Sequence, residues 1–432
     1  MTLVARTAPP RISVPLLAAV AAFATLAAGL YLRRVVGEPL GLPYAPLVGN
    51  WAPQADPLLA VSIACFAAAV VAAPRILRLP GPAFALAMFA LTVLLRLALA
   101  AGSGGVEQWT AVFEPGSFEG PNEYLPALGA LDFGAGFFVD RFAELVPSLP
   151  VHAAGHPPGL LLTMYALGVD DPGEMAALTI GVGALSGPLA YLLARTVLDE
   201  RRARVAALLL ALAPGALLFG ATSADAVYLT LGLLAAVPLA GRSTASKAAG
   251  ALLLAVGSFF AWSLLAVGAW AAILALRRDG AKAAITLAAL CGAALVAFYA
   301  LLHAATGFDP VGTIRATEEV YRAGIASTRP YWFWLLGSPT AFLLVLGLPL
   351  SWLAVKALAA KETLAIAIFA VIAVAAVAGF TKAETERIWL FLAPFVCLAA
   401  AAATDEDTPL RPLLAALAAQ ALLYELAFDT VW

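Results

Sequence analysis

Charged residues are scarce in this sequence of 432 residues, since Asp, Glu, Lys and Arg make up 12% of it. Soluble globular proteins contain about a quarter. Hydrophobic residues make up 63% and recur in runs near the roughly 20 residues that span a bilayer. The short alternating strands of a transmembrane barrel are missing. These features predict an all-α polytopic membrane protein.

Cysteines, basic clusters and nucleotide-binding loops are also rare or missing. Cys65, Cys291 and Cys397 lie far apart inside apolar runs, which favours core packing over a disulfide or a metal site. The absence of a basic cluster argues against nucleic acid as a partner. No cofactor and no metal site are predicted. A divalent metal beside the histidines is an alternative that no ligand spacing supports.

Apolar runs predict about thirteen transmembrane helices in a single transmembrane domain covering 1–432. The runs lie at 14–32, 57–73, 82–101, 175–197, 203–220, 222–241, 246–259, 262–276, 283–303, 333–353, 363–380, 388–403 and 410–428. We expect a hairpin bent at "GSFFAWS" between the two short runs after 246, with one long tilted helix as the alternative. The run 156–168 is too short to span and predicts an interfacial or partly inserted helix.

The charges of the loops predict the orientation. With the N-terminus in the cytoplasm, Arg6 and Arg11 and most loop Lys and Arg residues face inward. The first run lacks a small-residue cleavage site, so we expect a retained helix rather than a signal peptide. A large acidic loop (102–157), with short interfacial helices, and a second loop (303–332) then both lie outside.

The acidic loop contains the stretch "FEGPNEYLPAL" (118–128). In it Glu123 precedes an aromatic and an apolar helical pattern, which would hold the carboxylate at the membrane interface. Partial desolvation raises the proton affinity of a carboxylate and suits it to general-base chemistry. We therefore predict Glu123 as the catalytic base, with Glu119 as an alternative. The other reading is that these acids are solvated surface charge.

Two histidines follow in "VHAAGHPPGLLL". His156 precedes two prolines, which favours an extended backbone before a helix start. A solvent-facing imidazole and a substrate-binding imidazole are both consistent with this pattern. His152, four residues earlier, is a second substrate-binding candidate.

Charged residues near the predicted outer face complete the candidates. Arg96 lies inside the third run, where a charge is costly and faces either a polar cavity or the headgroups. Asp225 opens a helix, either as a substrate contact or as a complement to the helix dipole, with Thr222 or Ser223 as the cap. The remaining substrate-binding candidates are Lys382, Arg387 and Arg315. Arginine matches phosphate oxygens well, although a local ion-pair cluster also accounts for the first two.

The ordered set of "NEYLPAL", "HPPGLLLTMYALG", a helix pair linked by the basic turn "DERRAR", and "TSAD" resembles the GT-C superfamily of glycosyltransferases. These membrane enzymes depend on polyprenyl-phosphate sugars and include protein O-mannosyltransferases and aminoarabinose transferases. "TERIWLFLAPFVCLAAA" (385–401) is similar to a late element of that superfamily. The resemblance covers about 118–280, and more faintly 381–401.

The resemblance implies a GT-C-like fold and specific roles. Asn122 and Glu123 stand at the family's Asp-Glu pair, so an amide replaces the first acid and the base role moves to Glu123 or Glu119. His156 matches the family's His-Pro-Pro histidine, and Asp225 matches its helix-opening acid. Arg387 or Lys382 matches the basic group that contacts the donor phosphate.

The implied function is inverting transfer of a hexose or pentose, such as mannose or arabinose, from a polyprenyl-phosphate donor to an acceptor hydroxyl. The acceptor would be a glycan, a glycolipid or a protein, and membrane lipids would surround the chain. The expected location is a bacterial cytoplasmic membrane, with the active site facing outward. The alternative is a transporter or flippase of the cell envelope, and a non-catalytic membrane subunit is a third hypothesis.

Overall fold

The computed structural model describes residues 13–430, and helices account for 77% of it. Arg6 and Arg11, on which part of the predicted orientation depends, lie outside the described residues. The chain is nearly all α-helical. Two short strands, β1 (Asn50–Trp51) and β2 (Phe428–Asp429), pair antiparallel and join the segment after the first helix to the end of the chain.

The helices before and within the acidic loop are α1 (Val14–Tyr31), α2 (Leu59–Ile76), α3 (Gly81–Gly104), α4 (Ala135–Asp140), α5 (Phe142–Leu145), α6 (Val151–Ala154) and α7 (Gly159–Leu167). The middle of the chain forms α8 (Pro172–Ala184), α9 (Ser186–Val197), α10 (Glu200–Leu212), α11 (Pro214–Leu218), α12 (Asp225–Leu239), α13 (Thr244–Ser258), α14 (Leu265–Asp279) and α15 (Ala281–Thr306). The last part forms α16 (Pro310–Ala323), α17 (Tyr331–Leu346), α18 (Leu348–Ala359), α19 (Thr363–Ala378), α20 (Thr385–Ile388), α21 (Ala393–Ala402) and α22 (Leu410–Ala427).

Local sequence explains several helix ends. Asp171 caps α8 by accepting the backbone N–H of Glu174 at 3.0 Å, and Pro172 occupies the first helical position. Asp199 caps α10 in the same way, accepting the N–H of Arg202 at 3.0 Å. Gly307 ends α15 in the left-handed region, at φ 78°, where glycine has no Cβ to clash.

The core lies around α10, α12 and α21, whose residues are mostly buried. Outer helices surround it, and they leave large apolar side chains exposed, such as Phe23 on α1 and Val296 on α15. An apolar exterior around a packed helical core matches a lipid environment. These features indicate a membrane protein.

Within residues 13–430, six helices are long and apolar enough to cross a membrane, and seven if a bent pair counts as one span. The six are Val14–Val36, Leu59–Ile76, Gly81–Gly104, Pro172–Val197, Ala281–Thr306 and Leu410–Ala427. This number does not confirm the thirteen predicted spans. Several predicted runs fall on apolar helices of 10–17 residues, and the run at 333–353 is divided by a bend of 117° at Gly347.

Two local predictions agree with the structure. The chain breaks between α13 and α14 within the "GSFFAWS" stretch, with a 3-10 turn at Trp262–Leu264. The "HPPG" run forms only the nine-residue α7, and the acidic loop contains further short helices. The loop therefore packs as an ordered layer at one end of the helices.

Candidate active site

Four segments that are distant in sequence meet in one cluster of charged side chains. They are the 3-10 turn at Gly120–Asn122, the short helix α6, the start of α12 and the short helix α20. The turn places Glu123, and α6 places His152. The first residue of α12 is Asp225, which pairs with Arg387 of α20. The structure thus brings together predicted residues from the two ends of the resemblance.

Glu123 is 2% exposed, which removes most of its solvation. Its Oε1 lies 3.8 Å from Nε2 of His152, while Oε2 has no hydrogen-bond partner among the described residues. Burial raises the pKa of this carboxyl group, against the lowering effect of His152 and Arg387. A buried carboxylate with an unbonded oxygen and a raised pKa has the properties of a general base.

His152 joins the two candidate bases. Its Nε2 lies 3.4 Å from Oε2 of Glu119, and the same carboxylate oxygen accepts a bond of 3.4 Å from Nδ2 of Asn122. Burial acts to lower the pKa of His152, but Glu123 and Glu119 raise it overall. The amide of Asn122 therefore helps to orient Glu119.

Arg387 is 6% exposed and is held by two carboxylates. Its Nη1 donates to Oδ2 of Asp225 at 2.7 Å, and its Nη2 donates to Oε2 of Glu384 at 3.3 Å. Burial acts to lower its pKa, but Asp225, Glu384 and Glu123 raise it overall. The side chain of Ser223 donates to the same Asp225 oxygen at 2.8 Å. Asp225 is thus an ion-pair partner as well as the first residue of a helix.

A second arginine extends this network toward the loop 303–332. Arg329 donates to Glu384 and to the carbonyl of Lys382, the latter at 2.7 Å. Burial acts to raise the pKa of Glu384, but Arg329 and Arg387 lower it overall. Lys382 points away from the carboxylates and donates to the carbonyl of Ala326 at 3.0 Å. It therefore fixes the loop instead of lining the cluster.

The backbone before Arg387 is strained. Ala383 and Glu384 both have positive φ values, 66° and 55°, a region that residues other than glycine rarely occupy. Such strain costs of the order of 1–3 kcal/mol per residue and is found mainly at functional sites. The two arginine bonds to Glu384 hold this turn in place.

His156 lies beside the cluster between two tyrosines. Its ring centroid is 4.8 Å from that of Tyr228 and 6.5 Å from that of Tyr124, and the two hydroxyls are 2.5 Å apart. Burial lowers the pKa of His156 to about 4, so the imidazole is neutral at pH 7. His156 is half-buried, with one side of its ring against Tyr228, so it is not a freely solvated imidazole.

Like Lys382, two further predicted residues, Arg315 and Arg96, are not bonded into the cluster. Arg315 is exposed on α16, and none of its contacts in the described part of the chain reaches the other candidates. Arg96 is 1% exposed inside α3 and donates to Oγ of Ser186 at 3.2 Å. It lies beneath the start of α12, since a Cβ at Gly183 would be 2.8 Å from its Nη1 and 2.7 Å from Cβ of Ala226. The expectation that it reaches the headgroups is wrong.

Four residues of the site did not enter the predicted set, namely Tyr124, Tyr228, Arg329 and Glu384. Three of them stand within five residues of a predicted one, next to Glu123, Asp225 or Arg387. Helical spacing pointed to Tyr228, because residues three apart share a helix face and it follows Asp225 by three. Arg329 is 55 positions from its partner Glu384, so no local pattern connects the two residues.

The candidate metal ligands lie elsewhere. Within residues 13–430, a close group of potential ligand atoms is formed by Asp170, Asp171 and Glu174, which are exposed. Their geometry is explained by helix capping, because Asp171 accepts the N–H of Glu174 and Glu174 accepts the N–H of Asp170. The predicted site residues thus provide no argument for a bound metal.

Searches against known protein families and against curated proteins found no match to this chain. The chemistry of the cluster therefore has to be argued from its own geometry. It offers a buried base in Glu123, a fixed cation in Arg387 and an aromatic wall at His156. Such a set can remove a proton on one side and stabilise a developing negative charge on the other.

Proposed function

We propose that this chain is a membrane glycosyltransferase of the GT-C type, moving a sugar from a polyprenyl-phosphate donor to an acceptor hydroxyl with inversion. The observation that supports it most directly is the presence of Glu123 and Arg387 in one buried cluster. The two groups are linked through contacts, since Tyr124, which follows Glu123, contacts Tyr228 on the helix of Asp225, the ion-pair partner of Arg387. The chemistry of this transfer requires one base and one phosphate-binding cation.

In this proposal Glu123 accepts the proton of the acceptor hydroxyl, with Glu119 as the alternative base. The acceptor oxygen attacks the anomeric carbon, the new glycosidic bond forms, and the bond from that carbon to the phosphate oxygen breaks. The electron pair leaves with the lipid phosphate, whose charge Arg387 stabilises. Asp225 and Glu384 hold Arg387 in place before the donor arrives.

The cluster is closed in this structure. Asp225 is 5% exposed, and Arg387 already donates to two carboxylates. Donor binding would therefore require the phosphate to compete with Glu384 or Asp225 for the guanidinium. The loops around Glu384 are the part that would move, because the left-handed turn at Ala383 and Glu384 is strained.

The proposal keeps the predicted topology. Thirteen membrane segments would place the N-terminus in the cytoplasm of a bacterium and this cluster at the outer surface of the cytoplasmic membrane. A donor carried on a lipid would then reach the site from within the bilayer. Glycan, glycolipid and protein hydroxyls are the acceptor classes that this location allows.

The test begins with mass spectrometry of lipids that co-purify with the protein, followed by a transfer assay with the donor so identified. Glu123→Gln should reduce transfer by about 10²–10⁴-fold, the usual contribution of a general base. Glu144→Gln is the matched control, because Glu144 lies in the same loop with its side chain 68% exposed, and it should transfer normally. Full transfer by both Glu123→Gln and Arg387→Ala would exclude the proposal.

A transporter is the second candidate, and Arg96 is the observation that favours it. A buried arginine in a membrane-spanning helix commonly lines a substrate path. Counter-flow uptake into vesicles that contain the purified protein would support this function. Loss of that uptake in Arg96→Met, with no effect of Glu123→Gln, would decide for transport over transfer.

A further inference from the structure

A second polar site lies outside the Glu123 cluster. It is a cavity of about 200 Å³ between the end of α3, the start of the acidic loop and the C-terminal end of α22. Gln54, from the segment after the first helix, and Phe428 and Asp429 of β2 also line it. Drug-sized ligands occupy sites of roughly 300–1,000 Å³, so this one suits a ligand of about one sugar ring.

The polar groups that line the cavity are neutral or acidic. Ser103 at its base donates to Oε1 of Glu425 at 2.5 Å, and Gln108 and Asp429 lie nearby. Among the described residues that line it there is no Lys, Arg or His. A phosphate or another anion would therefore meet repulsion here, unlike at Arg387. Amides, hydroxyls and carboxylates together offer both donors and acceptors, which is what a polyhydroxylated molecule requires.

Aromatic rings frame the same cavity. Phe118 stands at its rim with 77% of its surface exposed. The ring of Phe428 is held against Tyr424, with the ring centroids 5.0 Å apart. The apolar C–H face of a sugar packs against such rings while its hydroxyls bond to polar side chains. An exposed phenylalanine beside a polar cavity otherwise has no evident role in packing.

We propose that this cavity binds a neutral monosaccharide unit. The stretch 117–123 connects it to the cluster, because Ser117 and Phe118 line the cavity while Glu119 and Glu123 contact His152. If the proposed transfer holds, the unit bound here belongs to the acceptor. Binding itself requires neither the donor nor turnover.

The test is saturation-transfer NMR on the full-length protein in phosphatidylcholine nanodiscs, since sugar-based detergents would occupy the cavity. The probes are the methyl glycosides of glucose, mannose, galactose and arabinose, with glucose 1-phosphate as the anionic comparison. At least one methyl glycoside should receive saturation from the protein. Glucose 1-phosphate should receive less than methyl glucoside.

Phe118→Ala should weaken glycoside binding roughly two- to tenfold, as expected for one lost aromatic contact. Phe133→Ala is the matched control, because Phe133 is 81% exposed in the same loop and does not line the cavity. Gln108→Leu should weaken binding to a similar degree, and thermal unfolding would verify that each variant is folded.

Three results would overturn the proposal: no saturation of any glycoside, equal effects of Phe118→Ala and Phe133→Ala, or stronger binding of glucose 1-phosphate. Glu123→Gln separates this inference from the proposed transfer. That variant should lose transfer but keep glycoside binding. Glycoside binding without any transfer activity in the unaltered protein would contradict the proposed function alone.

Discussion

Three arginines are buried in the described part of the chain, and the neighbours of two of them, Arg387 and Arg96, differ completely. Arg387 donates to Asp225 and Glu384 within a network of charges. Arg96 contacts Ser186, while its Nε and Nη1 have no hydrogen-bond partner among the described residues. Gly183 and Gly220 leave room for its guanidinium, since a Cβ at Gly220 would lie 2.6 Å from Nε. Burial alone therefore does not define a site, whereas charged partners do.

The largest expected effect comes from Arg387→Met. It leaves the buried carboxylate of Asp225 without its cation, while Glu384 keeps Arg329, and this should lower the free energy of unfolding by about 3–5 kcal/mol. Unfolding by SDS in mixed micelles would measure this change. Arg315→Met on the exposed face of α16 is the control and should change stability by less than about 0.5 kcal/mol. An Arg387→Met variant as stable as the unaltered protein would show that the network does not stabilise the fold.

Arg96→Met should instead raise the free energy of unfolding. Arg96 has no carboxylate partner in the described part of the chain. Methionine would fill the same space with an apolar, flexible side chain. Replacing buried ionic groups by apolar ones raises stability by about 1–4 kcal/mol in favourable cases. The same SDS titration applies. Destabilisation by Arg96→Met would mean that this arginine is held by interactions as strong as those of Arg387.

A double-mutant cycle should measure the Arg387 pair directly. Asp225→Asn and Arg387→Met share one contact of 2.7 Å, so their effects on unfolding should deviate from additivity by about 0.5–3 kcal/mol. Asp225→Asn combined with Arg315→Met should instead be additive. Additivity in both pairs would show that the ion pair contributes nothing.

The smallest effect concerns the pH dependence of transfer. The base acts when it is deprotonated. The rate of transfer should therefore be maximal above the raised pKa of Glu123 and should fall as the pH decreases through that pKa. Burial is the main cause of this raised pKa, and Asp225 adds to it. Asp225→Asn should therefore shift the acidic limb of the pH–rate profile to lower pH. Arg96→Met should leave the acidic limb of the pH–rate profile unchanged. An equal shift of that limb in Arg96→Met would contradict the distinction between Arg96 and Arg387.

Much of the site was predictable from local sequence. Local sequence identified five of its residues, because burying a polar group beside an apolar run is costly unless the group has a partner. They are Glu123, His152, His156, Asp225 and Arg387. Their partners were harder to predict. Arg329 and Glu384 meet across a loop, and the left-handed backbone at Ala383 has no signal in a sequence without glycine there.

The number of membrane spans was less predictable than the helical class. Apolar composition reports that a segment is buried, but lipid and protein interior are equally apolar. The segments of α12 and α21 are almost entirely buried within the protein, and both are shorter than a full span. Their hydrophobicity is explained by helix packing as much as by lipid.

The sequence by itself determined that this is an α-helical membrane protein with polar chemistry concentrated in its loops, because hydrophobicity and charge are local properties of the chain. Only the tertiary structure decided which charges meet. Glu123 and Arg387 are 264 positions apart in the sequence. Arg96 and Arg387 are both arginines in or beside apolar runs, and the sequence does not show which of them has charged partners. The difference between a paired and an unpaired cation arises from packing, since electrostatic free energy depends on distance and burial and not on order along the chain.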